Sequence, residues 1–338
     1  MGPRLCALAA AATAWMVLAG CSDGETPSGR SGPRRTLGFT VMDLSNPFFV
    51  ACNDGAEAVA RQHGDRLQVV NADNSASKQM SAVEDFVQRK VACILLNPVN
   101  TDAAGAAVVK ANAAGIPVVT FDVNASAGEI ACFVESNNVL AGRLCADYIG
   151  WRLKGKGHVV VIDHPGVTSV RQRTRGFAER LAEKYPEVKV VKTLVGEGKR
   201  GPSMKVTEHI LGGDTKIDAI FAINDPTGLG AAKAIQDQKA RHVFVVAIDG
   251  APDAVAELRS ADSPFEMSVA QFPNEIARTA AQMAYHIIEG KPVPRHIKIP
   301  VMPVTRQNLA AYPGWEGKMP DQVAVPWESD LVIAREAD

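Results

Sequence analysis

The sequence predicts an α/β fold of doubly wound, largely parallel sheets, and three observations carry that expectation. Short apolar runs closed by a polar residue alternate with amphipathic stretches of helical length, which is how strand–helix units read in sequence. Four such units follow one another, and a succession of this kind is accommodated by a parallel sheet with right-handed crossovers. The same alternation then restarts, and it leaves one helix and one strand over at the end of the chain.

The first unit starts with the apolar run from Leu37 and stops at the polar turn Asp43-Leu44-Ser45-Asn46, followed by Pro47 and two adjacent aromatics, Phe48 and Phe49. Val50 to Gln62 places Val50, Ala51, Gly55, Ala58 and Val59 at helical spacing. Leu67 to Asn71 reads as a second strand, and Lys78 to Arg89 as a helix with Met80, Val83, Phe86 and Val87 inward. Val91 to Leu96 is a third strand closed by Asn97-Pro98, and the helix Ala103 to Ala114 ends at Gly115. Ile116 to Phe121 is a fourth strand, ending at Asp122.

After the break, helices are expected over Leu140–Leu153, Arg173–Tyr185, Met204–Leu211, Gly228–Gln238 and Val255–Arg259. They alternate with strands over His158–Asp163, Val188–Leu194, Ala219–Ile223, Val243–Ile248 and Phe265–Ala270. A helix Asn274–Glu289 and a strand Ile297–Val304 remain once this second sheet is full. Returned to the first sheet, they would join the two domains by several crossing segments, a hinge rather than a loose linker. The Pro-rich segment 301–338, with Trp315 and Trp327, has weak periodicity and reads as a tail along the surface.

Composition excludes some classes of function. The chain has 338 residues, 46% hydrophobic and 22% charged, with a formal net charge of -1, so no charge excess points to nucleic acid or to an anionic membrane surface. At the start, Arg4 precedes an apolar run from Leu5 to Leu18 too short to span a bilayer, ending in Leu18-Ala19-Gly20-Cys21. This resembles a bacterial lipoprotein signal, which implies cleavage before Cys21 and a lipid on its sulfur. On that reading 1–20 is the signal, and 21–35, rich in Ser, Gly, Pro and Arg, is a flexible tether. Cys52, Cys93, Cys132 and Cys145 show no CxxC spacing, and the histidines form no HxxxH or HExxH pair; mostly buried thiols and no metal site are expected.

The polar residues near strand ends are the candidate site. Asn46, Asp122, Arg173, Asn224, Asp249 and Gln271 fall at equivalent topological places, together with Phe48 and Phe49. In parallel sheets these termini lie along one edge, where ligands bind, and two facing lobes would gather them around one cleft. Asp, Asn, Arg and Gln present paired hydrogen-bonding atoms that suit neighbouring hydroxyls, and an aromatic covers the apolar face of a sugar ring. The competing role for each is a turn former or helix cap.

The motifs Asn46-Pro47-Phe48-Phe49, Ile94-Leu95-Leu96-Asn97-Pro98, Gly115 to Asp122, Asn137 to Gly142, Arg173-Thr174-Arg175-Gly176-Phe177, Phe221 to Asp225, Ala247-Ile248-Asp249-Gly250 and Ala270-Gln271-Phe272-Pro273 complete a pattern. From Thr36 to Thr305 the chain resembles the type I periplasmic solute-binding proteins of sugar ABC transporters, particularly the ribose-binding group. The resemblance implies two Rossmann-like lobes joined by a three-segment hinge: 36–137 with 272–300 as one lobe, 138–271 as the other, and 301–338 as closing strand and tail. It further implies that the six polar residues bind sugar hydroxyls, with Phe48 and Phe49 against the ring. A monomer without cofactor is expected, partnered by a neutral carbohydrate or polyol and an ABC permease, touching the membrane only through its lipid.

Two departures from the ribose pattern stand out. Val123 follows Asp122 where ribose binders carry Arg, and Gly198 falls where they carry a second aromatic. Their loss argues against ribose itself and toward another pentose, a hexose or an open-chain polyol. Among rival functions, Gly228-Leu229-Gly230 lacks the third glycine of a dinucleotide fingerprint and no GxSxG elbow occurs. His164 in Asp163-His164-Pro165-Gly166 is the best candidate for hidden chemistry. LacI-type repressors share the two-lobed body but precede it with a DNA-binding helix-turn-helix. Docking on a chemoreceptor or sensor kinase is compatible with transport.

Overall fold

The computed structural model describes residues 2, 34–325 and 327–334, and the fold below is that of the unit Pro33–Asp338. Apart from Gly2, the expected signal, its Cys21 and nearly all of the tether lie outside the described residues. Arg34 and Arg35, assigned to that tether, are held on Asp65: Arg35 donates from its backbone N (2.8 Å) and its Nε (3.0 Å), and Arg34 Nη2 bonds the Asp65 carbonyl.

The first sheet is built by β1 (Thr36–Val41), β2 (Arg66–Asn71), β3 (Ile94–Leu96), β4 (Val118–Phe121) and β5 (Cys132–Ser136), with α1 (Pro47–Gln62), α2 (Ala76–Gln88) and α3 (Thr101–Ala113) as crossovers. The second follows with α4 (Asn138–Arg152), β6 (Lys156–Asp163), α5 (Thr168–Lys184), β7 (Glu187–Val195), α6 (Arg200–Leu211) and β8 (Ala219–Ala222). It continues with α7 (Asp225–Asp237), β9 (Phe244–Asp249), α8 (Pro252–Leu258) and β10 (Phe265–Ala270). The chain then returns through α9 (Pro273–Ile288) to β11 (His296–Ile299), and passes back to β12 (Met302–Thr305).

The strand orders are β11-β5-β4-β3-β1-β2 and β12-β10-β9-β8-β6-β7. Every pairing in the first is parallel, and in the second only β12 runs antiparallel, against β10. The chain therefore crosses between the two sheets three times: after β5, after β10 and after β11.

Four sequence expectations are corrected. The strand β5 went unread because its run Cys-Phe-Val-Glu-Ser carries Glu135, a charge in a strand that is buried throughout. The run expected as one strand over Ile297–Val304 is two, broken at Pro300-Val301 and shared between the sheets. Helix α5 opens at Thr168 rather than Arg173; Val167 caps it without a side-chain hydrogen bond, so the usual start signal is missing. Finally, the tail is more than a surface strap: Trp315 and Met319 are buried, and β13 (Gln322–Val325) pairs with β14 (Glu328–Ala334).

Close packing around Arg173 has a sequence cause. A Cβ on Gly142 would lie 2.0 Å from the Arg173 carbonyl oxygen, so only glycine lets α4 approach α5 this closely. The arginine is thereby set well inside α5 and almost fully buried.

Candidate functional site

Between the two sheets lies a cavity of about 380 Å³, and all eight residues singled out in the sequence line it. Phe48 and Phe49 form one wall. Their rings meet edge to face at 5.2 Å, and Phe48 meets Trp315 the same way at 5.8 Å. Trp315 also donates its indole N–H to the carbonyl of Asp249 (2.7 Å), which ties the aromatic wall to the end of β9. Tyr312 adds a bond from its hydroxyl to the Gly250 carbonyl (2.8 Å). Neither tail residue was among the expected site residues, because an unpatterned Pro-rich stretch carries no signal of where it packs.

Two lining residues also cap helices. Asn46 Oδ1 accepts from Phe48 N (3.0 Å) at the start of α1, where Pro47 follows at a position that needs no donor. Asn224 Oδ1 accepts from Thr227 N (3.0 Å), and its Nδ2 donates to the Gly198 carbonyl (3.1 Å). Capping and lining are thus combined in the same side chains.

The carboxylates occupy unusual backbone. Asp122 has φ 60° and Asp249 φ 145°, conformations disfavoured for residues with a Cβ and held here by their surroundings. Asp122 Oδ2 accepts from Asn97 Nδ2 (3.1 Å), whose own Oδ1 is bonded by Met42 N. Burial pushes its pKa up to about 7, with Arg173 pulling down and Asp249 pushing up. Asp249 Oδ1 accepts from Gln271 Nε2 (2.7 Å) and lies 3.6 Å from Arg173 Nη1, and its Oδ2 accepts from Asp225 N (3.3 Å). Burial raises it to about 6 despite Arg173. The other end of Gln271, Oε1, is buried and has no partner.

Arg173 is held from two directions, Nε donating to Asn138 Oδ1 and Nη1 to the Ile223 carbonyl, both at 2.8 Å. Behind it stands a relay that sequence reasoning missed. Asn138 Nδ2 donates to Glu135 Oε2 (3.2 Å), while Glu135 Oε1 meets Gln172 Nε2 (3.3 Å) and His296 Nε2 (2.9 Å). Glu135 accepts from Asn138, so that amide must turn its oxygen toward Arg173. Burial raises the Glu135 pKa against the pull of His296. Asp225 is a second missed carboxylate: it accepts from Ser268 Oγ and Ala251 N, both at 2.7 Å, and burial followed by the nearby Asp249 lifts it to about 8. It supports the loop after β9 and does not line the cavity. The only sequence hint of this was its position directly after Asn224.

The opposite rim is set by His164, Glu197, Gly198 and Lys199. Glu197 and Gly198 have consecutive positive φ, 56° and 66°, and a Cβ on Gly198 would stand 3.4 Å from Asn224 Nδ2. His164 lines the cavity, its pKa held down chiefly by burial. The lobes meet beyond the cavity, where Asn100 Nδ2 donates to the Gly166 carbonyl (3.2 Å) and the hydroxyls of Thr101 and Thr168 are hydrogen-bonded. Cys52, Cys93, Cys132 and Cys145 are free and buried, and among the described residues no group of acidic, His or Cys side chains is placed to hold a metal ion.

Two doubly wound lobes, crossed three times and closed on a cavity of paired hydrogen-bonding groups, define a solute-binding protein of the two-lobed type. A model of the periplasmic binding protein domain matches residues 37–292, and the chain belongs to that family. It is 37% identical over 268 residues to the ribose import binding protein of Bacillus subtilis (79% of this chain, 86% of that protein). It is also 30% identical over 261 residues to the xylitol-binding protein of Mycolicibacterium smegmatis (77% and 74%). Among solved structures, the Caulobacter myo-inositol binding protein bound to myo-inositol superimposes with a TM-score of 0.78 at 28% identity, covering 84% of this chain and 97% of that one.

Proposed function

We propose that the chain is an extracytoplasmic receptor that closes around a small sugar or polyol and delivers it to an ABC permease. The carrying observation is that eight side chains, drawn from both lobes and from positions 46 to 271, line one cavity. Relatives that bear the names of ribose and xylitol binders, and a neighbour holding myo-inositol, support the same reading. A hydrogen bond to a charged group contributes about 1.5–3 kcal/mol, so three or four from Asp122, Arg173 and Asp249 supply about 4.5–12 kcal/mol before ordering costs, and the aromatic wall must add to them to reach the roughly 8 kcal/mol of micromolar affinity.

In this reading Asn46, Asp122, Arg173, Asn224, Asp249 and Gln271 take hydroxyls, and Phe48 and Phe49 cover an apolar face. The three crossings act as the hinge, and a ligand touching both lobes favours the closed arrangement. Cys21 anchors the monomer by its lipid, and no reaction is catalysed. Gly198 and Val123 leave one face of the ligand without aromatic or guanidinium cover, which favours a ligand other than ribose. Thermal shifts across pentoses, hexoses, tetritols and longer alditols test this. A rise with one class and none with ribose is expected; a clear preference for ribose removes the specificity claim, and silence across the whole panel removes the receptor claim.

A further inference from the structure

The charges at the cavity floor do not balance. Asp122 and Asp249 line it with Arg173, which approaches Asp249; Lys199 and Arg200 also line the cavity, Arg200 paired with Asp253, and the described residues place no cation within 4 Å of Asp122. Arg173 approaches Asp249 at 3.6 Å and spends its named hydrogen bonds on Asn138 and the Ile223 carbonyl. Two more buried carboxyls stand behind this floor, Asp225 and Glu135; Glu135 is paired with His296 at 2.9 Å, which leaves Arg173 to serve Asp122, Asp249 and Asp225. The residue after Asp122, Val123, is fully buried and contributes no charge.

Donors are short as well. Asp122 receives one side-chain hydrogen bond, from Asn97, on a single carboxylate oxygen. Gln271 is 1% exposed and lines the cavity with its Oε1 unpartnered. A buried carboxylate without a counter-charge is costly, and the cost is relieved either by a proton or by a cation brought to it. Consistent with that, burial pushes the Asp122 pKa up to about 7.

We infer that the ligand of this cavity carries an ammonium group, as an aminated sugar, polyol or cyclitol does, and that the ammonium is seated on Asp122. An ammonium is three donors and no acceptor, and so matches a floor where Asp122 takes a single side-chain donor and Gln271 Oε1 takes none. A charge-assisted bond of this kind is about twice as strong as a neutral one. The inference rests on the receptor reading proposed above and narrows its ligand class.

The test is calorimetric titration of the full-length mature protein with matched pairs at neutral pH: D-glucose and D-glucosamine, D-galactose and D-galactosamine, myo-inositol and scyllo-inosamine, xylitol and 1-amino-1-deoxyxylitol. In at least one pair the aminated member is expected to bind roughly tenfold tighter or better. That advantage is expected to disappear in Asp122→Asn, in which the aminated member loses affinity by a larger factor than the hydroxyl member does. If hydroxyl members bind as tightly as their amines in every pair, the ammonium inference fails and the receptor reading stands. If amines win equally in wild type and Asp122→Asn, the seat is not Asp122 and the inference fails. If no member binds and the wider sugar panel is also silent, both fall.

Discussion

The two walls of the cavity are made differently. The first lobe contributes mainly area: Phe48 and Phe49, packed on each other and backed by Trp315 of the tail, with Asn46 and Asp122 beside them. The second contributes direction: Arg173, Asn224 and Asp249, each fixed by at least one hydrogen bond to the protein. Apolar contact is proportional to buried area and tolerates variation in the ligand, whereas oriented donors and acceptors discriminate by geometry. Affinity is therefore expected to come from both walls and selectivity from the oriented polar groups, Asp122 of the first lobe included.

The largest effect should follow Arg173→Ala. It leaves Asp249 and Asp225 buried without their guanidinium, and breaking a buried pair costs about 3–5 kcal/mol of stability. Chemical denaturation measures the loss, and a variant as stable as wild type would show that the carboxyls, not the arginine, organise the second wall. Phe48→Ala comes next, at about 3 kcal/mol from a truncated buried aromatic. Its binding to the panel should weaken for all ligands alike; a changed order of preference would mean that the aromatic wall also selects.

The relay behind Arg173 should matter less. In Glu135→Gln the carboxylate that orients Asn138 is lost while the shape is kept, so ligand affinity should fall by about 1 kcal/mol with the fold retained. Unchanged affinity in titration calorimetry would make the relay a local strut. Gly198→Ala forces a Cβ into a φ of 66° at about 1 kcal/mol and crowds Asn224, so Tm should drop slightly.

A pH dependence probes the buried carboxyls of both walls without mutation. Asp122, Asp225 and Asp249 have folded-state pKa values of about 7, 8 and 6, raised above the ordinary carboxylate range. Between about pH 4 and pH 8 the folded chain thus holds protons that the unfolded chain has released, and stability is lost as pH rises through that window. Tm of the empty protein should be higher at pH 5 than at pH 8, and Asp225→Asn should flatten the trend. A Tm that rises with pH would contradict the burial of these groups.

Much of the site was legible. Asn46, Asn224 and Asp249 stand where an apolar strand gives way to a helix and Asp122 directly follows β4, and in a parallel sheet a strand-end position puts them on the binding edge. What was not legible has common causes. Glu135 hides in a buried strand whose charge argues against a strand. Arg173 was placed at the start of its helix but lies more than a turn inside α5, because that helix opens at Thr168 without a side-chain cap. Trp315 and Tyr312 sit in a stretch with no period, so nothing local tells that they close the back of the cavity.

Local order sufficed for the strand–helix units, their parallel class and the choice of strand-end residues, since periodicity and turn chemistry act within a few residues along the chain. Which charges share the buried floor, whether a carboxyl there has a counter-ion, and where the last strand divides between the lobes were decided only when distant segments packed together. Those outcomes depend on burial and on separations of a few ångströms across the fold, and neither is written in spacing along the chain.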